Sequence, residues 1–366
     1  MSLRLLPADQ AIALWDQFDT VIDARSESEY ALDHLPGACN WPTLNDEERQ
    51  AIGTMYKQVN AFEAKKRGAA IAARNIAAHI EREVLDKPRD WAPLAYCWRG
   101  GKRSGSLSLV LDQIGFRVSL VEGGYKAFRA AMLLDLERLA QSLQFQVVCG
   151  TTGSGKTRLL HALAHEDAQV LDLEHLARHR SSVLGAIPGE PQPSQKRFDT
   201  LVWEQLRRFD PARPVFVESE SKKVGNVAIH ASLVEAMRRS ACLMLELALP
   251  ERVALLLEDY RYFVDNPDRF CERLDALTAQ KGKACIEAWK TAVREGDLAS
   301  VVQALLTEHY DPVYLQSIER NFSQFESAPQ LRPTDRSLGA MAALARNLVQ
   351  SADGPEGGTG VVPGNG

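Results

Sequence analysis

Short apolar runs alternate with amphipathic stretches along the first 145 residues. The runs TVIDA (20–24), LAYC (94–97) and VSLVEGG (118–124) predict buried strands. SESEYALDHLPGA predicts a short helix and a turn, SGSLSLVLDQIGF a helix capped by Gly115, and YKAFRAAMLLDLERLAQSL a long helix. This repetition of strand and helix indicates an α/β domain.

The alternation restarts with FQVVC (145–149), which a glycine-rich loop and a helical pattern follow. Three further apolar runs predict strands, namely QVLDL (169–173), PVFVE (214–218) and CLMLELAL (242–249). The pattern from about 250 to 320 is mostly helical. The second part is therefore expected to be a parallel-sheet domain with a helical C-terminal part.

These patterns divide the chain into four segments. Residues 1–130 form the first domain and 131–144 a linking helix. Residues 145–322 form the second domain with its helical extension. The tail, 323–366, is expected to be partly disordered, because it ends in GPEGGTGVVPGNG, which is rich in glycine and proline.

Composition narrows the class of protein. The chain has 366 residues, 45% hydrophobic and 25% charged, with a net charge of −5, which argues against a generally basic nucleic-acid coat. Its six cysteines are scattered without a C-x-x-C pair, which disfavours a zinc site or a disulfide framework and suits the reducing cytosol. No signal peptide or membrane span is expected, so the predicted location is cytoplasmic.

The segment YCWRGGKRSGS places Cys97 between a predicted strand and a predicted helix. Backbone N–H groups, the positive end of the helix and nearby basic side chains would favour a reactive thiolate there. The residues expected to bind an anion beside the sulfur are Trp98, Arg99, Gly100, Gly101, Lys102, Arg103 and Ser104. Trp98 is also a candidate for stacking on a nucleobase.

This first part resembles the rhodanese family of sulfurtransferases over about 15–130. VIDARSESEYALDHLPGACNWP is similar to that family's first signature, and the cysteine loop followed by IGFRVSLVEGGYKAF to its second. The resemblance implies that Cys97 carries sulfur or selenium, and that Asp23 and His34 are structural.

One departure from the sulfurtransferase pattern leaves a cysteine-dependent phosphatase open as an alternative. Arg103 lies six positions after Cys97, whereas typical single-domain sulfurtransferases place an arginine five positions after the cysteine. The spacing C-x5-R followed by Ser104 is also that of cysteine-dependent phosphatases. The first loop alone therefore fits either a chalcogen carrier or a phosphatase.

The second loop has the pattern G-x-x-x-x-G-K-T between an apolar strand and a helix. Its residues are expected to bind a diphosphate: Gly150, Thr151, Thr152, Gly153, Ser154, Gly155, Lys156 and Thr157. Candidate acids or magnesium ligands nearby are Asp172, Glu218 and Glu220, although no metal site is certain. No adenine- or guanine-specific signature accompanies the loop.

Basic clusters in the second part are candidate contacts for an RNA backbone. They are Arg178, His179, Arg180, Lys196, Arg197, Lys222 and Lys223. The HYDP segment (309–312), with Tyr310 and Asp311, is expected to form a structural turn.

The two loops together resemble the bacterial tRNA 2-selenouridine synthase family over about 15–320. The segments that carry the likeness are YCWRGGKRS, GTTGSGKT, LDLEHLARHRSS, PSQKRFD, VFVESES and HYDPVY. The resemblance implies a transferase that converts wobble 2-thiouridine in Lys, Glu and Gln tRNAs to 2-selenouridine. It also implies an S-geranylated intermediate and the co-substrates geranyl diphosphate and selenophosphate, with Mg²⁺ optional and no tightly bound cofactor. A phosphatase fused to a kinase-like domain is the alternative.

Overall fold

The computed structural model describes residues 3–180 and 185–352. Its first half contains β1 (Arg4–Leu6), α1 (Ala8–Ala13), β2 (Thr20–Asp23), α2 (Glu27–Leu32), β3 (Cys39–Asn40), α3 (Asp46–Gln58), α4 (Ala61–Glu83), β4 (Pro93–Tyr96), α5 (Lys102–Ile114), β5 (Ser119–Val121) and α6 (Gly124–Ser142). The next elements are β6 (Phe145–Cys149), α7 (Lys156–His165), β7 (Gln169–Leu171), α8 (Leu173–Ala177), α9 (Gln195–Leu206), β8 (Val215–Glu218), β9 (Lys223–Val224), β10 (Val227–Ala228), α10 (Ala231–Arg239) and β11 (Ala241–Leu245).

The C-terminal part is largely helical, as its sequence pattern predicts. It contains α11 (Leu249–Asp259), α12 (Arg261–Val264), α13 (Pro267–Leu274), α14 (Thr278–Lys281), α15 (Lys283–Arg294), α16 (Leu298–Leu305), α17 (Asp311–Asn321), β12 (Gln330–Leu331) and α18 (Leu338–Ala352). A π-helical segment, Leu306–Tyr310, joins α16 to α17. The HYDP segment is therefore helical, and the expected turn is wrong.

The chain forms two compact units. Unit 1 comprises Met1–Leu139 and Pro193–Arg207, and unit 2 comprises Ala140–Gln192 and Arg208–Gly366. Each contains a five-stranded parallel sheet, in the order β1-β5-β4-β2-β3 in unit 1 and β12-β11-β6-β8-β7 in unit 2. The predicted α/β class with two parallel sheets is confirmed. Because β4 and β6 are the central strands, the loops that follow them lie at the middle of each sheet's carboxyl edge.

Local sequence explains the helices that support the first loop. Ser26 and Glu29 form a capping box at the start of α2. Gly115 ends α5 at φ 114°, as predicted for a C-terminal cap. Behind the loop, Ile22, Leu107 and other apolar side chains of unit 1 pack into one core.

Helix α9 differs from the expected domain boundaries, because it belongs to unit 1 although its sequence lies within 145–322. Its Trp203 is buried, packs edge-on against Phe128 and donates a hydrogen bond from Nε1 to Asp135 (2.9 Å). Asp199 pairs with Arg129 at 2.5 Å. These contacts make α9 part of the core and surface of unit 1.

The first part of the tail, residues 323–352, contains a strand and a helix, whereas the sequence placed the end of the second domain at residue 322. Strand β12 pairs in parallel with β11, and α18 packs its buried Met341 and Ala345 into the core beside α7. Residues 323–352 are thus part of unit 2, and 353–366 lie outside the described residues. Over 3–180 and 185–352, no helix has the length and apolar character needed to cross a bilayer.

Candidate active site

Cys97 lies directly after the central strand β4 and its side chain is buried. Its sulfur accepts a hydrogen bond from the backbone N–H of Gly101 at 3.2 Å, at the start of α5. The backbone of the loop packs against Gly124, where φ is 60° and a Cβ would collide with the Cys97 carbonyl oxygen. The VEGG segment therefore lets two backbones approach closely enough to shape the loop.

The three basic residues of the loop have different surroundings. Arg99 and Lys102 are exposed, whereas Arg103 forms two hydrogen bonds with Glu29, at 2.5 and 3.3 Å. Although burial opposes ionisation of Glu29, this pairing with Arg103 holds its pKa below the usual value. Arg103 is thus held by a carboxylate, which is a different placement from the anion-facing one that the C-x5-R spacing suggests.

Asp23 belongs to a buried network behind the loop. Its carboxylate accepts hydrogen bonds from Arg25 (2.6 Å) and from the hydroxyl of Tyr96 (2.7 Å), and all three side chains are buried. His34 is held through Nδ1 against the Tyr30 carbonyl at 3.0 Å. Both side chains are held by hydrogen bonds within unit 1, which suits the structural role expected of them.

Trp98 stacks on Tyr125 with a centroid separation of 5.4 Å. Lys196 Nζ lies 5.5 Å from the Trp98 ring centroid. Arg197 donates a hydrogen bond to the His34 carbonyl at 3.2 Å. Lys196 and Arg197 therefore lie in unit 1 near the cysteine loop, because α9 packs there.

The phosphate-binding loop, Gly150–Thr157, follows the central strand β6 and leads into α7. Lys156 Nζ donates to the carbonyl of Gly150 at 2.6 Å and lies 5.1 Å from the Tyr314 ring centroid. Burial lowers the pKa of Lys156, and the carboxylates of Glu174 and Glu220 partly oppose this effect. Lys156 thus lies at the start of α7, in the position that the lysine of a P-loop occupies beside the backbone N–H groups of a helix N-terminus.

Two residues that the sequence patterns did not single out hold this loop. Arg252 is buried, donates to the Thr152 carbonyl at 2.9 and 2.7 Å, and pairs with Asp311 at 2.6 Å. The hydroxyl of Tyr314 accepts a hydrogen bond from Gly150 N–H at 2.9 Å and lies 2.5 Å from Ser219 Oγ. The HYDPVY segment was a usable signal for Tyr314, whereas nothing in the local sequence marked Arg252.

The three candidate acids have different surroundings. Asp172 caps α8 by accepting from His175 N–H at 2.8 Å, and it also contacts His161 Nε2 at 3.2 Å. Glu220 lines the cavity beside the loop. Glu218 is buried and accepts from Glu174 N–H at 2.8 Å, while its Oε2 has no hydrogen-bond partner among residues 3–180 and 185–352.

Burial raises the pKa of Glu218 well above the usual value, and the charges of Asp172, Glu220 and Glu174 raise it further. The folded state therefore binds this proton more tightly than the unfolded chain, so stability falls as pH rises above the ordinary carboxylate range. Glu218→Gln removes the buried charge. We expect it to increase the free energy of unfolding at pH 8 by at least about 1 kcal/mol and by less at pH 5, measured by urea denaturation.

Glu258→Gln is the control with opposite sign. Hydrogen bonds from Arg158 and Arg336 hold the pKa of Glu258 below the usual value, so its stabilising effect is present above the ordinary carboxylate range and lost on acidification. This variant should therefore lose stability by a similar amount at pH 8 and at pH 5, because both values lie above the ordinary carboxylate range, and the loss should shrink only on further acidification. An equal change in the free energy of unfolding for Glu218→Gln at the two pH values would contradict a raised pKa of Glu218 in the folded state.

A cavity of about 910 Å³ opens beside the phosphate-binding loop within unit 2. Its wall includes carboxylates and basic side chains, among them four of the predicted RNA contacts: His179, Arg180, Lys222 and Lys223. Arg180 lies over the Tyr260 ring at 4.6 Å and 3.9 Å from Asp259. Arg178 is exposed and ends α8 at φ 50°. Over 3–180 and 185–352, no three metal-ligating side chains converge into a ready metal site.

The fold and the two loops define a class of protein in which a rhodanese-like unit is combined with a P-loop unit. Residues 7–131 match the rhodanese-like domain family, and residues 143–281 match the tRNA 2-selenouridine synthase AAA domain family. The chain belongs to the tRNA 2-selenouridine synthase family.

Three relatives named tRNA 2-selenouridine synthase support this assignment. The protein from Nitrosomonas europaea is 36% identical over 69% of this chain and 66% of its own length. The protein from Marinobacter nauticus is 32% identical over 80% of this chain and 87% of its own length. The protein from Nitrosomonas eutropha is 30% identical over 86% of this chain and 92% of its own length.

Proposed function

We propose that this chain converts 2-thiouridine at tRNA position 34 to 2-selenouridine through an S-geranylated intermediate. Membership of the family supports tRNA selenouridine modification. The observation that carries the two-step route is that each sheet presents its own anion loop after its central strand. One loop centres on a cysteine sulfur and the other on a lysine, which suits selenium chemistry and diphosphate chemistry respectively.

In the first step, the thiocarbonyl sulfur attacks C1 of geranyl diphosphate. The C1–O bond breaks, its electron pair leaves on the diphosphate, and the product is an S-geranyl nucleoside. Lys156, the loop N–H groups and the start of α7 would stabilise the departing diphosphate. Alkylated sulfur is then a better leaving group for the second step.

In the second step, selenium from selenophosphate replaces the geranylthio group. The balanced overall change is geranylated nucleoside plus selenophosphate plus water, giving 2-selenouridine, geranylthiol and phosphate. Cys97 is assigned to this step because its sulfur is the nucleophilic atom of the first loop. Arg99 and Lys102 are exposed beside it and can attract an anionic selenium donor.

The carboxylates around the phosphate-binding loop fit a role for Mg²⁺. Glu218 has a buried oxygen without a partner among the described residues, and Thr157 Oγ1 lies 3.5 Å from Glu174. Mg²⁺ binds through few protein oxygens when substrate phosphates supply the others. Thr157, Glu174 and Glu218 would hold the ion, which would neutralise charge on the diphosphate.

The tRNA substrate would meet basic side chains in each unit. We assign phosphate contacts to Arg178, His179, Arg180, Lys222 and Lys223 in unit 2, and to Lys196 and Arg197 in unit 1. Lys, Glu and Gln tRNAs with 2-thiouridine at the wobble position are the proposed substrates. Trp98 stays a candidate for contact with a base.

The test incubates the purified chain with tRNA carrying 2-thiouridine and measures the nucleosides by mass spectrometry. Geranyl diphosphate alone should produce the geranylated nucleoside, and subsequent selenophosphate should produce 2-selenouridine. ATP should not replace geranyl diphosphate. Formation of 2-selenouridine from 2-thiouridine and selenophosphate without geranyl diphosphate would contradict the proposed route.

A further inference from the structure

Helices α3 and α4 form an antiparallel hairpin in unit 1. Ile52 packs across it against Gly68, where an added Cβ would lie 3.3 Å from Ile52 Cγ2. Asn60 begins α4, since its side chain accepts a hydrogen bond from Phe62 N–H at 2.8 Å. Every residue of α3 is at least partly exposed. The far end of the hairpin, residues 56–67, therefore stands away from the core of unit 1 and is called the hairpin tip below.

The hairpin tip presents large apolar side chains to solvent. Tyr56 is 51% exposed, Val59 78% and Phe62 66%. A single exposed apolar side chain is ordinary in a folded protein. Three of them at the end of one hairpin mark a candidate interaction surface.

The hairpin tip is also basic. It holds four basic side chains and one acidic side chain, a net charge of +3 in a chain whose net charge is −5. The basic side chains are all exposed, namely Lys57, Lys65, Lys66 and Arg67. Lys65 Nζ lies 6.0 Å from the Tyr56 ring centroid, and Lys66 Nζ lies 5.2 Å from the Phe62 ring centroid. A nucleobase stacked on either ring would therefore have a cation nearby for its phosphate.

This combination of charge and aromatic rings favours RNA with unpaired bases over a protein partner. The buried centres of protein–protein interfaces are depleted of lysine. Single-stranded RNA is instead held by bases stacked on aromatic side chains and by basic side chains along its phosphates. The net positive charge of the hairpin tip is complementary to that backbone. An RNA loop is therefore the occupant that the hairpin tip fits best.

The other end of the hairpin lies beside the cysteine loop. Arg49, in the first turn of α3, donates a hydrogen bond to Ser26 Oγ at 3.1 Å and lies 3.7 Å from the Glu29 carboxylate, which also holds Arg103. The 13 residues of α3 span about 20 Å from there to the hairpin tip. Position 34 of a tRNA lies in the anticodon loop. A tRNA that brings this nucleotide to Cys97 would have the rest of its anticodon arm within reach of the hairpin tip.

From this arrangement we infer that the hairpin tip binds the anticodon arm of the substrate tRNA. Lys65, Lys66 and Arg67 contact its phosphates, and Phe62 stacks on an unpaired base. Lys66 also pairs with Glu63 at 2.6 Å, but both side chains are about half exposed, so a phosphate can compete for the lysine. The RNA contacts predicted from the sequence lie outside α3 and α4. The inference rests on the proposed function and deepens it, because it names the part of the tRNA that unit 1 recognises.

Removing the charge of the hairpin tip should weaken tRNA binding. The triple variant Lys65→Ala/Lys66→Ala/Arg67→Ala should lose at least about tenfold in affinity at about 0.1 M salt, and the slope of log affinity against log salt should become shallower by about 2. The measurement is fluorescence anisotropy of the full chain with labelled tRNA that carries 2-thiouridine. Geranyl diphosphate and selenophosphate are left out, so that binding is measured apart from the chemistry.

Phe62→Ala separates stacking from charge. Loss of one stacked base should weaken binding by about tenfold. The salt dependence should stay that of the unmodified chain, because no charge is removed. Phe62→Trp retains an aromatic face and should bind within about threefold of the unmodified chain. Each variant is measured with full-length tRNA and with an RNA hairpin that has the sequence of its anticodon arm.

Matched controls come from exposed positions elsewhere in unit 1. Leu85→Ala, at a position 74% exposed, matches Phe62→Ala, and it should bind both RNAs as the unmodified chain does. The control for charge is the triple variant Lys87→Ala/Arg89→Ala/Arg117→Ala, which should also bind normally.

Unchanged RNA affinity in both hairpin-tip variants would overturn the surface, even if the unmodified chain forms 2-selenouridine. Losses that appear with full-length tRNA but not with the anticodon-arm hairpin would overturn the assignment to that arm. Dimerisation of the unmodified chain in sedimentation, lost in Phe62→Ala while RNA affinity is unchanged, would assign the hairpin tip to a second copy instead. Losses with both RNAs, in a chain that forms no geranylated nucleoside, would support the surface and contradict the proposed route.

Discussion

Replacing Cys97 with serine will abolish 2-selenouridine formation and leave the geranylated nucleoside to accumulate. A serine hydroxyl retains the size of the side chain, but it lacks the thiolate that gives cysteine its nucleophilic character. We expect at least about a thousandfold loss in the rate of selenation, with geranylation changed by less than about threefold. Mass spectrometry of tRNA nucleosides measures both products in one sample.

Cys39→Ser is the matched control for this variant, since Cys39 is an exposed free cysteine in the same unit. It should retain both activities. Formation of 2-selenouridine by the Cys97→Ser protein would remove Cys97 from the selenium step. Loss of geranylation in the same protein would instead indicate that the first loop is needed in both steps.

Replacing Lys156 with alanine will block the reaction earlier and leave 2-thiouridine in place. Lys156 is the positive side chain of the phosphate-binding loop, and its removal takes away charge stabilisation of the departing diphosphate. The expected loss in the rate of geranylation is about a hundredfold or more. If geranylated tRNA is supplied, selenation should proceed at close to the rate of the unmodified protein.

Lys283→Ala supplies the control for general loss of positive charge, because Lys283 is exposed at the start of α15 in unit 2. This variant should form the geranylated nucleoside at the rate of the unmodified protein. Normal geranylation by Lys156→Ala would rule out the phosphate-binding loop as the site of the first step. A variant deficient in both steps, even with geranylated tRNA, would show that the lysine also supports selenation.

The strands that carry the two loops were predictable because parallel strands buried on both faces produce short continuous apolar runs. LAYC and FQVVC are such runs, and they became the central strands β4 and β6. The ends of elements were less predictable. The run CLMLELAL continues past β11, which ends at Leu245, because hydrophobic residues continue into the connection to α11.

The packing partner of α9 could not be predicted from its own sequence. Phe198, Val202, Trp203 and Leu206 define an apolar face, but such a face fits any complementary surface. Its attachment to unit 1 depends on Phe128, Arg129 and Asp135, which lie about 70 residues earlier. Arg252 was missed for the same reason, since its contact with Thr152 spans 100 residues.

The placement of Arg103 illustrates a limit of motif spacing. C-x5-R fixes how far the arginine lies along the chain from the cysteine, while its direction depends on what else is nearby. Here Glu29 of α2 takes the guanidinium in two hydrogen bonds. A carboxylate eight-tenths buried beside the loop could not be located from the interval between two residues.

The membership of α9 in unit 1 has a consequence for synthesis on the ribosome. A nascent chain that has emerged only as far as residue 192 has every strand of the first sheet, yet it lacks the helix that covers Phe128 and Trp15. Unit 1 is therefore completed only after residues 193–207 emerge, by which time β6, α7 and β7 of unit 2 have already been made. The two units are therefore completed in overlapping order. A fragment that ends at residue 145 would lack α9, so it would expose the aromatic surface of Phe128 and Trp15 and be prone to aggregate.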